Sequence, residues 1–372
     1  MNIQMVDLRG QYRKIQKEID EAIFNVIHNA NFINGFEVEN FQKALEKYTE
    51  IKHVIPCANG TDALQISLMA SGLKPGDEVI VPAFTYIASA EVIGLLNLTP
   101  VMVDVDYESF NVTAKNIEKG LSDKTKAIIP VHLFGQSCDM EPIIDFAAQH
   151  NLFVIEDNAQ AIGACYMYSD GSKKQTGTMG NIGCTSFFPS KNLSCFGDGG
   201  AMMTNDDELA KKLKMIANHG QATKYYHEIL GCNSRLDTLQ AAVLNVKLKY
   251  LNEYSTARYL AAQRYYNLLK DVEEIILPIE KTYSTHVYHQ YTIKTQARNK
   301  LQTFLKEKGI PSMVYYPLPM YKQNAFKQIC KQGEDLVVAE KLSQTVLSLP
   351  IHTELTEEEQ VYITDQIKTF FA

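Results

Sequence analysis

The stretch GDEVIVPAFTYIASAEVIGLLNLTPVMVDVD, residues 76–106, predicts a strand, a helix and a second strand in turn. EVIVP (78–82) and PVMVDVD (100–106) are apolar runs typical of buried strands, whereas ASAEVIGLLN between them has helical spacing. The same alternation spans residues 51–204, with further strands predicted at 127–135, 153–157, 184–188 and 200–204. Such alternation favours a mainly parallel sheet covered on both faces, so we predict an α/β fold that binds ligands at the carboxyl ends of its strands.

The flanking sequence predicts further helices and a second domain. Two helical stretches, 11–30 and 38–50, precede the alternating region. A long helical pattern at 235–270 follows it, and then a mixed tail that ends in the helical sequence ITDQIKTFF. We predict a large domain at 1–250 with an N-terminal helical arm, and a smaller α+β domain at 251–372.

Composition excludes several classes of protein. An apolar content of 45% over 372 residues is enough for a sizeable core. A net charge of −7 without a basic tract argues against nucleic acid as a partner. Seven scattered cysteines show no zinc-ligand spacing and indicate reduced, mostly buried thiols, so we predict no metal site. The chain shows no signal-peptide pattern and no long apolar stretch, which predicts a cytoplasmic protein without a membrane partner.

The first candidate site is the segment Gly60-Thr61-Asp62-Ala63-Leu64, which opens a predicted helix. Thr61 and Asp62 are ordinary capping residues in one interpretation. In the other, the exposed amides and the helix dipole bind a phosphate, and Gly60 lets the anion approach closely. The segment alone does not decide between the two.

Two further segments carry groups that suit a pyridoxal cofactor. FVIEDNAQ ends a strand in Glu156-Asp157, which is either a loop start or a carboxylate that keeps a pyridine nitrogen protonated. TSFFPSKNL places Lys191 after an apolar run, and burial there would favour the neutral amine that forms a Schiff base with an aldehyde. Ser186 is a candidate donor to the same phosphate.

Aromatic and cationic residues complete the candidates. Tyr86 follows a strand and could stack on a planar ring, whereas Phe84 is assigned to the core. The segment that holds Arg235, GCNSRLD, opens the long helical pattern with hydrogen-bond donors and a planar cation. It is either a helix cap with a surface salt bridge or a contact to an anion, which could belong to a neighbouring subunit.

Taken together, the motifs resemble the DegT/DnrJ/EryC1/StrS family of sugar aminotransferases, which have the aspartate aminotransferase fold, fold type I. The motifs that carry this resemblance occur in one order: GTDAL, EDNAQAIGA, SFFPSKNL, GDGGA and NSRLDTLQAA. The resemblance runs nearly end to end, from VDLRGQY to LSLP. It implies pyridoxal 5′-phosphate as the cofactor and a large three-layer αβα domain with a smaller C-terminal domain.

The resemblance assigns roles residue by residue. Lys191 matches the lysine that binds the cofactor covalently, and Asp157 matches the partner of the pyridine nitrogen. Other cofactor contacts are implied for Gly60, Thr61, Tyr86, Gln160 and Ser186. Asn233 matches a phosphate contact from the partner chain, which implies a homodimer with shared active sites, and Arg235 and Tyr316 fall in segments that line the substrate side. Local departures from the family pattern occur at Asn158, Tyr315 and Ser194.

The implied reaction is amination of a nucleotide-linked keto sugar with L-glutamate as the expected donor. A 3-oxo sugar is expected, either UDP-2-acetamido-3-oxo-glucuronate or dTDP-3-oxo-6-deoxyhexose, for lipopolysaccharide O-antigen or capsule synthesis. A pyridoxal-phosphate-dependent sugar dehydratase is the alternative, although the lysine at 191 favours transamination. A regulatory or binding protein without catalysis is the remote alternative.

Overall fold

The computed structural model describes residues 3–372, and its strands lie mainly between residues 53 and 204. The strands are β1 (His53–Cys57), β2 (Glu78–Pro82), β3 (Thr99–Val103), β4 (Thr125–Ile128), β5 (Phe153–Asp157), β6 (Cys165–Met167), β7 (Lys173–Gln175), β8 (Ile182–Ser186), β9 (Gly200–Thr204), β10 (Gln221–Thr223), β11 (Tyr226–His227), β12 (Tyr291–Lys294), β13 (Lys331–Gln332) and β14 (Val346–Leu349).

The helices alternate with these strands and dominate both ends of the chain. They are α1 (Leu8–Lys14), α2 (Gln16–Asn29), α3 (Phe36–Thr49), α4 (Gly60–Ala70), α5 (Ala88–Leu95), α6 (Ala114–Lys119), α7 (Met140–Gln149), α8 (Asp207–Ala217), α9 (Thr238–Leu248), α10 (Leu251–Leu269), α11 (Arg298–Glu307), α12 (Val337–Thr345) and α13 (Glu357–Phe371). Two short 3₁₀ helices span Leu133–Gly135 and Met320–Lys322.

Eight strands form one sheet in the order β1-β9-β8-β5-β4-β2-β3-β13. Within it only β9 runs against the others, pairing antiparallel with β1 and β8, so the sheet is mostly parallel as predicted. The sequence did not identify β1 as a separate strand or the reversed direction of β9. In addition, the predicted strand at 127–135 is wrong beyond Ile128, because the chain turns there into the 3₁₀ helix Leu133–Gly135.

Helices cover both faces of this sheet, which explains the continuous apolar character of its strands. Val79 and Val81 of β2 point into a core shared with α4, α5 and α8. Ile80 between them points to the opposite face, into a core shared with α6 and α7. Because side chains alternate along a strand, an all-apolar strand must be buried on both sides. The predicted αβα layering is therefore confirmed.

The N-terminal helices and α9 form a further layer at the β1 end of the sheet. Phe41 and Leu45 of α3 pack with Leu244 of α9 in one core, and the Gly35 amide before α3 donates to Thr238 Oγ1 at 3.0 Å. The single long helix predicted at 235–270 is wrong. It is two helices, because α9 ends at Leu248 and α10 begins at Leu251 without a proline or glycine to signal the break.

The C-terminal part builds a separate core around the antiparallel pair β12 and β14, packed with α10, α11 and α13. The chain does not stay in this unit, since β13 joins the edge of the large sheet beside β3. Ala339 and Leu342 of α12 also lie in the core beneath the large sheet. The boundary at residue 251 stays a prediction.

Two further expectations concern reduced cysteines and membrane-spanning helices. All seven cysteines are free thiols, and four of them are buried. Among residues 3–372, no helix combines the length and apolarity needed to cross a membrane.

Candidate active site

A cavity of about 790 Å³ opens at the carboxyl ends of β2, β5 and β8. Ligand sites in parallel sheets are expected at this edge. Eight of the residues predicted from the sequence line it: Gly60, Thr61, Tyr86, Asp157, Gln160, Ser186, Lys191 and Tyr316. Seven of the eight end or follow strands that run in the same direction in one sheet, so residues far apart in the chain meet at the same edge; Tyr316 reaches it from the C-terminal part.

Lys191 lies in the loop after β8, and its amide donates to the Phe188 carbonyl at 2.8 Å. Burial lowers the pKa of its amine to about 8, and the Asp157 carboxylate opposes this shift. Burial lowers the pKa of Lys247 and Lys294 to about 8 as well, but neither lines the cavity. Position in the cavity, rather than the pKa alone, therefore distinguishes Lys191 from the other two lysines.

Asp157 ends β5 with its side chain buried. Its Oδ2 accepts from Ser89 Oγ at 2.7 Å, and its Oδ1 accepts from the Ala159 amide at 3.1 Å. Ser89 Oγ also lies 3.2 Å from Thr85 Oγ1. These bonds fix the orientation of the carboxylate. Ser89 is a residue that the sequence did not single out, and its only signal was a small polar side chain in the apolar helix α5.

The side chain of Glu156, next to Asp157, points to the opposite side of the strand. Its carboxylate is fully buried and accepts from His132 Nε2 at 2.8 Å. It also accepts from the amides of Gly177, Met179 and Gly180 at 2.8, 2.6 and 2.6 Å. His132 Nδ1 accepts from the Cys138 amide, which leaves the ring proton on Nε2 to be donated. The acidic pair therefore divides into one carboxylate in the cavity and one in the interior.

The start of α4 forms the other end of the cavity. Asn59, not Thr61 or Asp62, caps this helix, because Asn59 Oδ1 accepts from the Asp62 amide at 2.8 Å. The amides of Gly60 and Thr61 belong to the first turn, where helix geometry provides no acceptor. A Cβ at Gly60 would lie 2.7 Å from Ser186 Cβ, so the glycine allows β8 to approach. The free amides and the helix dipole suit an anion.

The GDGGA motif packs against this turn at the start of α4. A Cβ at Gly200, the first residue of β9, would lie 2.4 Å from the Asn59 carbonyl carbon and 2.8 Å from the Gly60 nitrogen. Since both neighbours are backbone atoms, neither can move aside without displacing the turn. Gly200 therefore positions the free amides at the start of α4, a role that the sequence did not assign.

Gln160 and Tyr316 form a fixed pair in the wall. Gln160 Oε1 accepts from the Phe134 amide at 2.8 Å, so its NH₂ group points the other way and donates to Tyr316 Oη at 3.1 Å. The Tyr316 hydroxyl proton therefore remains available to a ligand. Tyr86 is 56% exposed and its ring lies 6.2 Å from that of Tyr316, which leaves one face open for stacking. Phe84 is buried, as predicted.

Asn233 and Arg235 do not line the cavity of this chain. Asn233 is exposed and Arg235 is partly exposed, just before α9. The roles of all ten site residues remain to be tested. Two cavity residues that the sequence did not single out, His289 and Gln290, come from the segment before β12. Their signal was only the polar pair inside VYHQYTIKT.

Comparison with known proteins identifies the family. The model of the DegT/DnrJ/EryC1/StrS aminotransferase family matches residues 13–368. The chain belongs to this family. The resemblance, the fold type and the aminotransferase class expected from the sequence are therefore confirmed, since structures of the family superimpose on this chain over nearly its whole length.

Three relatives of the DegT/DnrJ/EryC1/StrS family illustrate its range. A pleiotropic regulatory protein of Geobacillus stearothermophilus is 45% identical, covering 100% of this chain and 99% of its own length. A UDP-2-acetamido-2-deoxy-3-oxo-D-glucuronate aminotransferase of Pseudomonas aeruginosa is 43% identical, covering 94% and 95%. A UDP-N-acetyl-3-dehydro-alpha-D-glucosamine 3-aminotransferase of Acidithiobacillus ferrooxidans is 42% identical, covering 98% and 97%.

Two solved structures of similar proteins share the fold. A DegT DnrJ EryC1 StrS aminotransferase from Brucella abortus has a TM-score of 0.95 at 41% identity and covers 100% of both chains. NtdA from Bacillus subtilis, solved with its bound cofactor PMP, has a TM-score of 0.88 at 32% identity and covers 96% of this chain and 82% of its own.

Proposed function

We propose that this protein is a pyridoxal-phosphate-dependent aminotransferase that converts a nucleotide-linked keto sugar into the amino sugar. The observation that carries the proposal is one cavity holding the Lys191 amine of lowered pKa, the Asp157 carboxylate and the free amides at the start of α4. A neutral amine attacks an aldehyde, a carboxylate suits a protonated ring nitrogen, and helix amides suit a phosphate. The residues present fit pyridoxal phosphate, and the NtdA structure carries the amine form of this cofactor.

Each residue has a defined task in this proposal. When bound, pyridoxal phosphate withdraws electrons from the substrate carbon and stores the amino group between two half-reactions. The neutral Lys191 amine takes the proton from the substrate carbon, and the resulting ammonium group returns this proton in the next step. Asp157, held by Ser89, would keep a proton on the pyridine nitrogen of the cofactor. Tyr86 would stack on its ring, and Gln160 orients the Tyr316 hydroxyl in the cavity.

The substrate is proposed to be a 3-oxo sugar linked to UDP. The Pseudomonas and Acidithiobacillus relatives, both above 40% identity, are named for UDP-linked 2-acetamido sugars with a keto group at C3. A dTDP-3-oxo-6-deoxyhexose is the alternative. Products of this kind are proposed to enter lipopolysaccharide O-antigen or capsule synthesis.

L-Glutamate is the proposed amino donor, and a homodimer is the proposed active unit. Within the described part of the chain, Lys191 is the only lysine or arginine that lines the cavity. A nucleotide diphosphate and a dicarboxylate both need more positive charge than one amine supplies. Asn233 and Arg235, which lie outside this cavity, are proposed to enter the partner's cavity. This arrangement would supply the missing cation.

The test is an assay of the purified protein with pyridoxal phosphate, L-glutamate and a panel of nucleotide keto sugars. Formation of equal amounts of 2-oxoglutarate and an amino sugar supports the proposal. A deoxy sugar without nitrogen would instead indicate the dehydratase, which the names of the relatives do not favour. If no keto sugar of the panel is aminated, the proposed reaction is wrong.

Regulation without catalysis remains the rival from another class, since the Geobacillus relative is named a regulatory protein. The complete set of Lys191, Asp157 and the α4 amides argues against it, because a binding protein needs no amine of lowered pKa beside a carboxylate. The same assay separates the two, since a non-catalytic protein would form no 2-oxoglutarate.

A further inference from the structure

His289 enters the cavity on a backbone segment that is tied down from three sides. The Val287 amide donates to the Gly135 carbonyl at 2.9 Å, and Asn192 Nδ2, beside the reactive lysine, donates to the Val287 carbonyl at 3.0 Å. Arg258 Nη1 donates to the carbonyls of Tyr288 and His289 at 3.2 and 3.4 Å. The backbone that carries His289 is therefore fixed relative to the loop that carries Lys191.

The ring of His289 is buried but makes almost no hydrogen bonds. It is only 6% exposed, its Nδ1 has no partner within the described chain, and its Nε2 lies 3.5 Å from Gln290 Nε2, at the limit of a hydrogen bond. By contrast, both nitrogens of His132 are bonded, and His286 Nδ1 accepts from the Tyr288 amide at 3.0 Å. Buried polar groups are normally satisfied, so an unpartnered nitrogen on a ring that lines the cavity makes His289 a candidate for a hydrogen bond to a ligand.

The charges around His289 are positive. Burial and the cations of Lys191 and Arg258 hold the pKa of the ring well below its usual range, so the ring is neutral. Arg258 is buried and donates only to backbone carbonyls, with no acid of residues 3–372 as a partner. Three acids line the cavity, Asp62, Asp157 and Asp198. Asp157 accepts from Ser89 and Asp62 accepts from Ser234, and none of the three contributes to the pKa shift of the His289 ring. The surroundings of the ring therefore favour a negatively charged acceptor.

We propose that His289 is a substrate-binding residue that donates a hydrogen bond to a carboxylate of the substrate. The proposal rests on the proposed function, which offers two sources of this chemistry: the amino donor and the C6 carboxylate of a uronate sugar. The ring torsion of histidine is broad and roughly two-fold, so exchange of its edges can bring a free nitrogen to the cavity wall. The buried charge of Arg258 further stabilises an anion bound there.

The test measures binding of three unreactive probes to the pyridoxal-phosphate-loaded protein by calorimetry. Glutarate represents the amino donor, and UDP-glucuronate and UDP-glucose differ only in the C6 carboxylate. His289→Phe removes both ring nitrogens, whereas His289→Asn keeps an N–H donor on a short side chain. Thermal unfolding and the cofactor absorbance check that both variants fold and bind cofactor. Since none of the probes is turned over, the result stands even if no keto sugar is aminated.

We expect His289→Phe to raise the Kd of glutarate or UDP-glucuronate on the order of tenfold, since a hydrogen bond to a charged group is lost. Binding of UDP-glucose should stay within about twofold, and His289→Asn should restore most of the loss. If only glutarate binding weakens, the carboxylate belongs to the amino donor. If only UDP-glucuronate binding weakens, the carboxylate belongs to the sugar. Unchanged binding of both carboxylates, equal weakening of UDP-glucose, or no carboxylate binding by the wild type would overturn the proposal.

A crystal of the wild-type protein soaked with the carboxylate probe that binds gives an answer that needs no variant. A carboxylate oxygen within hydrogen-bond distance of the His289 ring supports the proposal. A probe bound in the cavity away from this ring contradicts it, even if His289→Phe fails to fold.

Discussion

Replacing Glu156 with glutamine should destabilise the protein strongly, although it only replaces one carboxylate oxygen with an NH₂ group. Each carboxylate oxygen accepts two bonds: Oε2 from His132 Nε2 and the Gly177 amide, and Oε1 from the Met179 and Gly180 amides. In Glu156→Gln, whichever oxygen becomes NH₂ faces two donors and can accept neither. At about 1.5–3 kcal/mol for each hydrogen bond to a charged group, the expected loss is about 3–6 kcal/mol. That is a large share of the stability of a typical protein.

The measurement is urea unfolding of the cofactor-free protein, followed by circular dichroism because the chain has no tryptophan. The matched control is Glu141→Gln, whose carboxylate at the surface accepts from the Ser169 amide at 2.9 Å and Ser169 Oγ at 2.7 Å. Water can replace these two bonds, so the control should lose less than about 1 kcal/mol. The reasoning is refuted if Glu156→Gln is as stable as the wild type, or if both variants lose the same amount.

Four further predictions concern the cofactor site. Lys191→Ala should abolish turnover and the visible absorbance with pyridoxal phosphate, whereas Lys247→Ala, with an equally lowered pKa outside the cavity, should keep the absorbance. Capture of pyridoxal phosphate by the cofactor-free protein should accelerate as pH rises to about 8 and then level off, since only the neutral amine reacts; acceleration beyond pH 10 would contradict the lowered pKa. Asp157→Ala should bind cofactor but lose on the order of 10²-fold or more in kcat, and wild-type turnover would exclude its role. Gly200→Ala should raise the Kd of pyridoxal phosphate by roughly tenfold, because the added Cβ meets the Asn59 backbone. The control Gly94→Ala should leave the Kd unchanged, because its added Cβ meets only the Ile329 side chain. Equal Kd values for the two variants would show that the turn tolerates the change.

The parts of the site that were predicted are those announced by local pattern. Lys191 follows the apolar run that became β8, and Asp157 ends the run that became β5. In both cases a polar group at the end of a buried strand is visible in a few residues of sequence. The family motifs then added Gln160 and Tyr316, which the structure places in hydrogen-bond contact at 3.1 Å.

The parts that were missed depend on contacts between distant segments. Ser89 is 68 positions from the carboxylate that it orients, and His289 lies on a segment held by Arg258 and Gly135. Two local features were also missed. The cap at Asn59 bonds an amide only three residues on, but Thr61 and Asp62 are equally ordinary capping residues by pattern. The break between α9 and α10 carries no proline or glycine that would mark it.

The sequence by itself determined the mostly parallel sheet, and it predicted the cavity position of Lys191 and Asp157, since both follow from hydrophobic pattern and from the order of motifs along the chain. Only the tertiary structure decided that Glu156 faces inward while Asp157 faces the cavity, and that Gly200 packs against the turn at the start of α4. Adjacent side chains of a strand point to opposite faces, and which face holds the site is set by the packing of the whole sheet.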